Sequence, residues 1–479
     1  MSPRTLADIA LAAGGAVVDA PDDGRGLVVD GPVVLDSRAA APGALFVAVS
    51  GERTDGHDHA ASAVASGAAA VLADRPVGVP AVVVPDGATA GLGRLARAHL
   101  AALPELTVVG VTGSSGKTST KDLLAAVLER SGPTIAPPGS YNNELGLPLT
   151  ALTADAATRW AVLEMGARGV GHIADLCAIA RPRVGVVLNV GSAHVGEFGS
   201  REAVARAKGE LVEALPAAAD GGVAVLNGDD PLVSAMAERT AARVVAFGEG
   251  PGCDVRATGV RLDGRGRASF RLVTPEGEAD VQLRLVGEHH VSNALAAASV
   301  GREAGLPVAE LAAALSAATP RSRWRMEVVD RADGVTVIND AYNANPESMR
   351  AALKALASLG RAQGGARRTW AVLGEMRELG DLSVAEHDAM GRLAVRLGIS
   401  KTVAVGEGAV VLGIGAREEG SWGDEVEFVA GPDEALDLLR EQLRPGDIVL
   451  VKASRAVGLE RVAAALLSDV PPAPEEGSS

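Results

Sequence analysis

An α/β protein of three domains is predicted, on three grounds. At roughly 150 residues per domain, a chain of 479 residues divides into about three. From Val108 onward, apolar β-rich runs alternate with helical patterns, the order that builds a mostly parallel sheet, and the series stops and restarts near Thr319-Pro320. Within the first series, residues Val109 to Thr120 pass from a strand through a Gly/Ser turn into a helix, which is the layout of a phosphate cradle.

Residues 1–103 form the first expected domain. An Ala/Leu stretch after Met1-Ser2-Pro3-Arg4 has the look of a secretion signal, but Asp8 interrupts it. Thr5-Leu6-Ala7-Asp8 reads instead as the capped start of a short helix with Leu6, Ile9 and Ala13 turned inward. Short strands and turns follow, among them Asp36-Ser37-Arg38 and the run from Gly43 to Val49, and a helix covers about 92–103 before Pro104. The second domain, residues 104–319, carries strands at 108–111, 160–165, 183–190 and 222–227, with helices after Lys117 and near 201–215. Three alternating runs between about 253 and 286, turning at Asp263-Gly264 and Glu276-Gly277, predict an antiparallel appendage, and an Ala-rich helix starts near His290. The third, residues 320–470, is a second α/β unit with strands at 326–329, 335–339, 369–373, 402–405 and 448–452. The tail, 471–479, is Pro-, Glu- and Ser-rich and expected to be disordered.

Composition narrows the function. The net charge of −15 opposes a nucleic-acid backbone, and an aromatic content of 2% offers no array on which bases could stack. Cys177 and Cys253 match neither a disulfide framework nor a zinc spacing, as suits the reducing cytoplasm. No run approaches the ~18 apolar residues of a membrane span. Gly406-Glu407-Gly408 lacks the third glycine and later acid of a dinucleotide fingerprint, so nicotinamide binding is not expected.

The chemistry centres on the cradle. Thr112, Gly113, Ser114, Ser115, Gly116 and Ser119 are small, so backbone N–H groups can converge on a polyphosphate. Lys117 supplies a point charge for β/γ oxygens and Thr118 a hydroxyl for Mg²⁺, which points to a nucleoside triphosphate. Val111 stands where the general G-x-x-x-x-G-K-[ST] pattern has its first glycine. Glu164 ends an apolar strand, and His194 follows the next one; both belong to the carboxyl edge of a parallel sheet, where a ligand gathers and a cation could be held. Lys208 reads as a helix-surface lysine; if buried among cations, it would act only neutral or converted to an anion. In Asn339-Asp340-Ala341-Tyr342-Asn343-Ala344-Asn345, Asp340 could accept from a ribose hydroxyl and Asn343 or Asn345 could bond phosphate.

Together these segments resemble the Mur ligase superfamily, the ATP-dependent amide-forming enzymes of peptidoglycan precursor synthesis, over nearly the whole chain. The family's T-G-x-x-G-K-T loop stands as Thr112 to Thr118, its metal-binding acid as Glu164, its second-metal histidine as His194, and its carbamylated lysine as Lys208, 14 residues beyond His194. The segments from Gly139 to Thr150, Asn339 to Met349 and Val372 to Gly380 are similar to the branch that adds D-alanyl-D-alanine to a UDP-N-acetylmuramoyl tripeptide. Ser37-Arg38 and Gly51-Glu52-Arg53-Thr54-Asp55-Gly56-His57 are similar to the region that holds the UDP-sugar. Gly287 to Asn293 matches the adenine-side signature G-x-H-N-x-x-N, with His290 in place of the first Asn and Asn293 retained. Arg325, or its neighbour Arg323, matches the arginine that reaches phosphate from the third domain, and Lys452-Ala453-Ser454-Arg455 resembles the K-[GA]-S-R turn.

The resemblance implies a small α/β N-terminal domain for the UDP-sugar, a central P-loop ATPase-type domain and a Rossmann-like C-terminal ligase domain. It implies ATP and two Mg²⁺ held by Thr118, Glu164, His194 and carbamylated Lys208, with Ser37, Arg38, Asp55, His57, Asn142, Asn143, Lys452 and Ser454 toward the substrates. Asn293, Arg325, Asp340, Asn343 and Asn345 would face the nucleotide. The partners expected are small molecules, with neither nucleic acid nor membrane, and nothing points beyond a monomer. Competing readings are another amino-acid-adding member of the family, a folylpolyglutamate synthase, or a non-catalytic P-loop switch. The D-N-P-R motif of diaminopimelate-adding relatives is missing, and a switch leaves Glu164, His194 and Lys208 without a purpose.

Overall fold

The computed structural model describes residues 1–51, 54–191, 195–361, 367–420 and 424–468. His194, Glu52, Arg53 and the expected disordered tail lie outside these ranges. Three sheets of four or more strands organise the described chain, one after another along the sequence.

The N-terminal helix Leu6–Ala13 forms as its capping box dictates. The Thr5 side chain accepts from the Asp8 N–H, the Asp8 carboxylate answers the Thr5 N–H, and Leu6, Ile9 and Ala13 are buried. The first sheet places Ala16–Val18 antiparallel beside Ala81–Val83, and then Ala70–Ala73, Leu45–Val47 and Val33–Val34 in parallel. The helix expected over 92–103 runs from Ala88 to Ala101. Its first turn holds Gly91, a weak helix former that hides the pattern but lets the helix lie against Val84, since a Cβ there would meet Val84 Cγ2 at 2.7 Å. The far side of this helix shares one apolar core with helices Gly146–Ala151 and His172–Ala180.

The central sheet is larger than expected. Strands Thr134–Ile135, Trp160–Glu164, Thr107–Thr112, Val184–Val187, Val223–Asn227 and Arg243–Gly248 run parallel. The antiparallel runs are present as Val255–Leu262, Arg267–Thr274 and Gly277–Val286, but they are not a separate appendage. Phe247 pairs in parallel with Val255, which joins them to the core as one nine-stranded sheet. The link went unread because Arg243–Gly248 is an amphipathic run that does not stand out between charged turns. Alternate residues supply two cores: Val109, Val111 and Val162 face helices Lys117–Leu128 and His290–Glu303, whereas Ala161, Leu163 and Val187 face Arg201–Glu213 and the helices shared with the first sheet.

The third sheet has the order Glu327–Asp330, Thr336–Asn339, Ile448–Lys452, Thr369–Leu373, Lys401–Val405, Val426–Val429, all parallel except the first. The strand Val426–Val429 is an addition to the expected set; it is a partly exposed edge with no sustained apolar run. Helices Pro346–Arg361 and Ser383–Arg396 cover one face, and Pro432–Gln442 and Glu460–Ser468 the other.

Candidate active site

Strand register creates the site. Glu164 lies opposite Val111, and Val187 opposite Thr112, so the loops leaving three neighbouring parallel strands open at the same edge. The loop after Thr112 is folded against the loop after Val187: Asn189 O accepts from Ser114 N–H at 3.1 Å, Asn189 Oδ1 accepts from Ser115 N–H at 2.9 Å, and Ser114 Oγ accepts from Gly191 N–H at 2.8 Å. Gly116 has φ +81°, and a Cβ there would meet Asn293 Oδ1 at 2.7 Å, so the turn demands glycine for both conformation and space.

Lys117 opens the helix and donates to Gly113 O at 2.6 Å. Burial lowers its pKa, opposed by Glu164 and assisted by Arg325. Thr118 Oγ1 donates to Glu164 Oε2 at 3.0 Å, and the other Glu164 oxygen accepts from Ser140 Oγ and Asn142 Nδ2, both at 2.9 Å. Glu164 is 1% exposed, so a buried carboxylate is held by three polar groups at the mouth of the phosphate loop.

Lys208 is not on the helix surface. It is 5% exposed and faces this cavity. Burial first and the Lys117 charge second push its pKa well below the ordinary lysine value.

The third sheet closes the cavity, which has a volume of about 580 Å³. Arg325, Tyr342, Asn343, Asn345 and Ser348 line it opposite Ser114, Ser115, Gly116, Lys117, Thr118, Ser119, Asn142, Asn143, Glu164 and Lys208. Arg325 Nη2 donates to Thr118 Oγ1 at 3.2 Å, and its guanidinium lies 4.1 Å from the Tyr342 ring centroid. Arg323 is exposed and is not among the lining residues. Asn345 caps its helix through the Ser348 N–H at 2.8 Å and donates Nδ2 to Ser114 O at 3.2 Å, tying the third sheet to the phosphate loop.

Other expected residues lie elsewhere. Asp340 is buried beneath the turn, paired with Lys452 Nζ at 2.6 Å and accepting from Met326 N–H at 3.0 Å, so its carboxylate is already engaged. Lys452 also donates to Asn343 O at 3.0 Å, and Ser454 Oγ accepts from Arg377 N–H at 2.9 Å; neither lines the cavity. Asn293 sits behind Gly116 and bonds His290 Nδ1 at 3.3 Å; His290 Nε2 is buried with no hydrogen-bond partner among the described residues. Thr112 is buried, with its hydroxyl unpaired among the described residues. Ser37, Arg38, Asp55 and His57 belong to the first sheet's loops and are not brought to the cavity. Arg38 pairs with Asp36 at 2.7 Å, and His57 is buried between Asp55 at 2.6 Å and Asp74 at 2.7 Å.

The sequence reading left Asn189, Ser140 and Tyr342 without roles. Asn189 carried the signal used for Glu164, a polar side chain ending an apolar strand, whereas no local pattern reports that Tyr342 lies under Arg325.

Three family models match: the Mur ligase middle domain over residues 111–301, the Mur ligase glutamate ligase domain over 324–455 and the Mur ligase family catalytic domain over 32–105. The UDP-N-acetylmuramoyl-tripeptide--D-alanyl-D-alanine ligase of Mycobacterium tuberculosis is 53% identical, covering 98% of this chain and 98% of its own. The crystal structure of MurF from Acinetobacter baumannii superposes with a TM-score of 0.85 at 32% identity, over 98% of this chain and 100% of that one. MurF from Thermotoga maritima in complex with ADP gives a TM-score of 0.76 at 30% identity, over 91% and 97%. With its phosphate loop, strand-end carboxylate and third-sheet arginine in one cavity, the chain belongs to the Mur ligase family, on its MurF branch.

Proposed function

We propose that the protein is an ATP-dependent ligase that joins D-alanyl-D-alanine to a UDP-N-acetylmuramoyl tripeptide in peptidoglycan precursor synthesis. The observation that carries this reading is the buried Glu164 carboxylate bonded to Thr118 of the phosphate loop, in one cavity with Lys117, Lys208 and Arg325.

The donor set suits magnesium. A buried carboxylate and a hydroxyl 3.0 Å apart are hard oxygen ligands, and Thr118 and Glu164 would hold one ion. Lys208 fits a second site once carbamylated: burial disfavours its ammonium, the neutral amine is the form that adds to CO₂, and the carbamate supplies anionic oxygens. His194 would complete that set. Bound magnesium would neutralise charge between the γ-phosphate and the carboxylate.

Loop N–H groups from Gly113 to Thr118 and the Lys117 ammonium would orient the polyphosphate. The tripeptide carboxylate attacks the γ-phosphorus, ADP leaves, and an acyl phosphate forms. Arg325 places positive charge on the transferring phosphoryl group. The dipeptide amine then attacks the acyl carbon, and collapse of the tetrahedral adduct expels phosphate. Asn345, bonded to the phosphate loop, keeps the third sheet over the cavity and water away from the acyl phosphate.

Residues 1–103 would hold the UDP-sugar, with Ser37 and Arg38 at the surface and Asp55 and His57 shaping the loop beneath; 104–319 would hold ATP and 320–470 the dipeptide. Asn142 and Asn143 would meet the substrate at the cavity wall. We place the reaction in the cytoplasm, where ATP and nucleotide sugars occur; among the described residues no helix is long and apolar enough to cross a membrane. We take the protein to act as a monomer.

Incubation with ATP, Mg²⁺, UDP-muramoyl tripeptide and either D-alanyl-D-alanine or single amino acids tests this. A product heavier by the dipeptide less water, formed with one phosphate, is expected. Phosphate release without amide product would overturn it.

A further inference from the structure

We infer that Lys121, Asp122 and Ser322 form a latch that positions Arg325, so that three residues outside the reacting groups govern the phosphoryl-transfer step. The helix Lys117–Leu128 begins at the phosphate loop. Lys121 and Asp122 follow Thr118 by three and four positions and therefore share its face, one turn away. Both are buried, at 1% and 6% exposure, and pair at 2.5 Å. Their partner is the connection into the third sheet. Asp122 Oδ2 accepts from Ser322 N–H at 2.9 Å, Asp122 Oδ1 accepts from Ser322 Oγ at 3.1 Å, and Lys121 donates to Ser322 Oγ at 3.0 Å and Pro137 O at 2.7 Å. Just past the end of that helix, its C-cap residue Glu129 receives both arms of Arg321 at 2.6 Å.

Three residues beyond Ser322, Arg325 returns to Thr118. The connection thus touches the helix twice, at the latch and at the phosphate site. On either side of Arg325 the backbone is strained: Trp324 has φ 60° and Met326 φ 49°, a region that bulky side chains rarely adopt. Such conformations persist only where their surroundings impose them. Here Trp324 O accepts from Tyr342 N–H at 3.3 Å, the Arg455 guanidinium stacks 4.2 Å above the Trp324 ring, and Asp340 holds the Met326 N–H. Arg325 is therefore suspended between Asp122 on the central sheet's helix and Asp340 on the third sheet. Without the latch, the strained segment is held from the third sheet's side alone, and among the described residues nothing ties it to the helix that carries Thr118 except the guanidinium itself.

This rests on Arg325 acting at the nucleotide. The test uses the full chain with Ser322→Ala, Asp122→Asn, Arg325→Ala and the double variant Ser322→Ala/Arg325→Ala, following kcat, KM for each substrate, ADP affinity by calorimetry and the thermal midpoint. Ser322→Ala keeps the bonds that the Arg321 and Ser322 N–H groups donate to Asp122 Oδ2, at 3.3 and 2.9 Å, and remains folded whether or not Asp122→Asn does. It is expected to lower kcat about tenfold, within the scale of the two buried hydrogen bonds lost at Ser322 Oγ, with KM for D-alanyl-D-alanine unchanged. In the Arg325→Ala background it should cause no further loss, because nothing is left to position. An unchanged kcat for Ser322→Ala, or a full additive loss in the double variant, overturns the latch while leaving the nucleotide role of Arg325 standing. Wild-type ligation by Arg325→Ala overturns both.

Discussion

Lys452→Met is expected to destabilise the third sheet far more than the loss of one surface charge would. Lys452 is 1% exposed, and its ammonium lies 2.6 Å from Asp340, itself 7% exposed. Methionine fills most of the lysine stem but leaves the carboxylate buried with, among the described residues, only the Met326 N–H as donor. Removing one partner of a buried pair costs about 3–5 kcal/mol. At about 2–4 °C per kcal/mol for a unit of this size, the melting midpoint falls by about 6–20 °C. Lys452→Met with Asp340→Leu removes the stranded charge and should lose only about 1–3 kcal/mol for the orphaned Met326 N–H. Urea unfolding followed through Trp370, a buried reporter in the same sheet, measures both variants. A single variant within 1 kcal/mol of wild type, on the order of surface effects, or a double variant less stable than the single, would refute the reasoning.

Glu164→Gln keeps size and one acceptor oxygen for Ser140 and Asn142, with its amide NH₂ turned to the Thr118 hydroxyl, and removes the buried negative charge, so ligation should drop by at least about 10²-fold while urea stability stays near wild type; coupled phosphate-release kinetics check this. Gly116→Ala forces a Cβ into Asn293 at a φ of +81°, a conformation that costs an alanine about 1–2 kcal/mol, so ADP affinity measured by calorimetry should weaken at least about tenfold. Lys208 makes stability depend on pH. Its folded pKa lies well below its ordinary 10.5, so between the two values the unfolded chain binds the extra proton and stability rises with pH. Lys208→Met should flatten that rise in CO₂-free urea unfolding between pH 7 and 10 while abolishing ligation. A slope equal to wild type would mean that Lys208 is not the group responsible.

Much of the architecture was legible because its causes are local. The Thr5–Asp8 box starts its helix where expected, the strands Thr107–Thr112, Trp160–Glu164 and Ile448–Lys452 are apolar runs buried on both faces, and the Gly/Ser turn before Lys117 needs only its own small residues. Elements whose stability is borrowed from neighbours were missed. Arg243–Gly248 and Val426–Val429 are held by adjacent strands rather than by their own patterns, and the glycine-bearing first turn of Ala88–Ala101 is held by its contact with Val84.

The same division runs through the site. Residue types at set spacings established that a phosphate loop, a strand-end acid and a basic helix residue belong to one chemistry, because each is a short-range feature of the chain. Which groups meet depends on pairings that span hundreds of residues. Folding turned Lys208 from a surface lysine into a buried amine and chose Arg325 over Arg323. It set Asn189 behind the phosphate loop and engaged Asp340 with Lys452 beneath the turn rather than in the cavity. Burial and charge proximity are properties of packed space, and no stretch of sequence carries them alone.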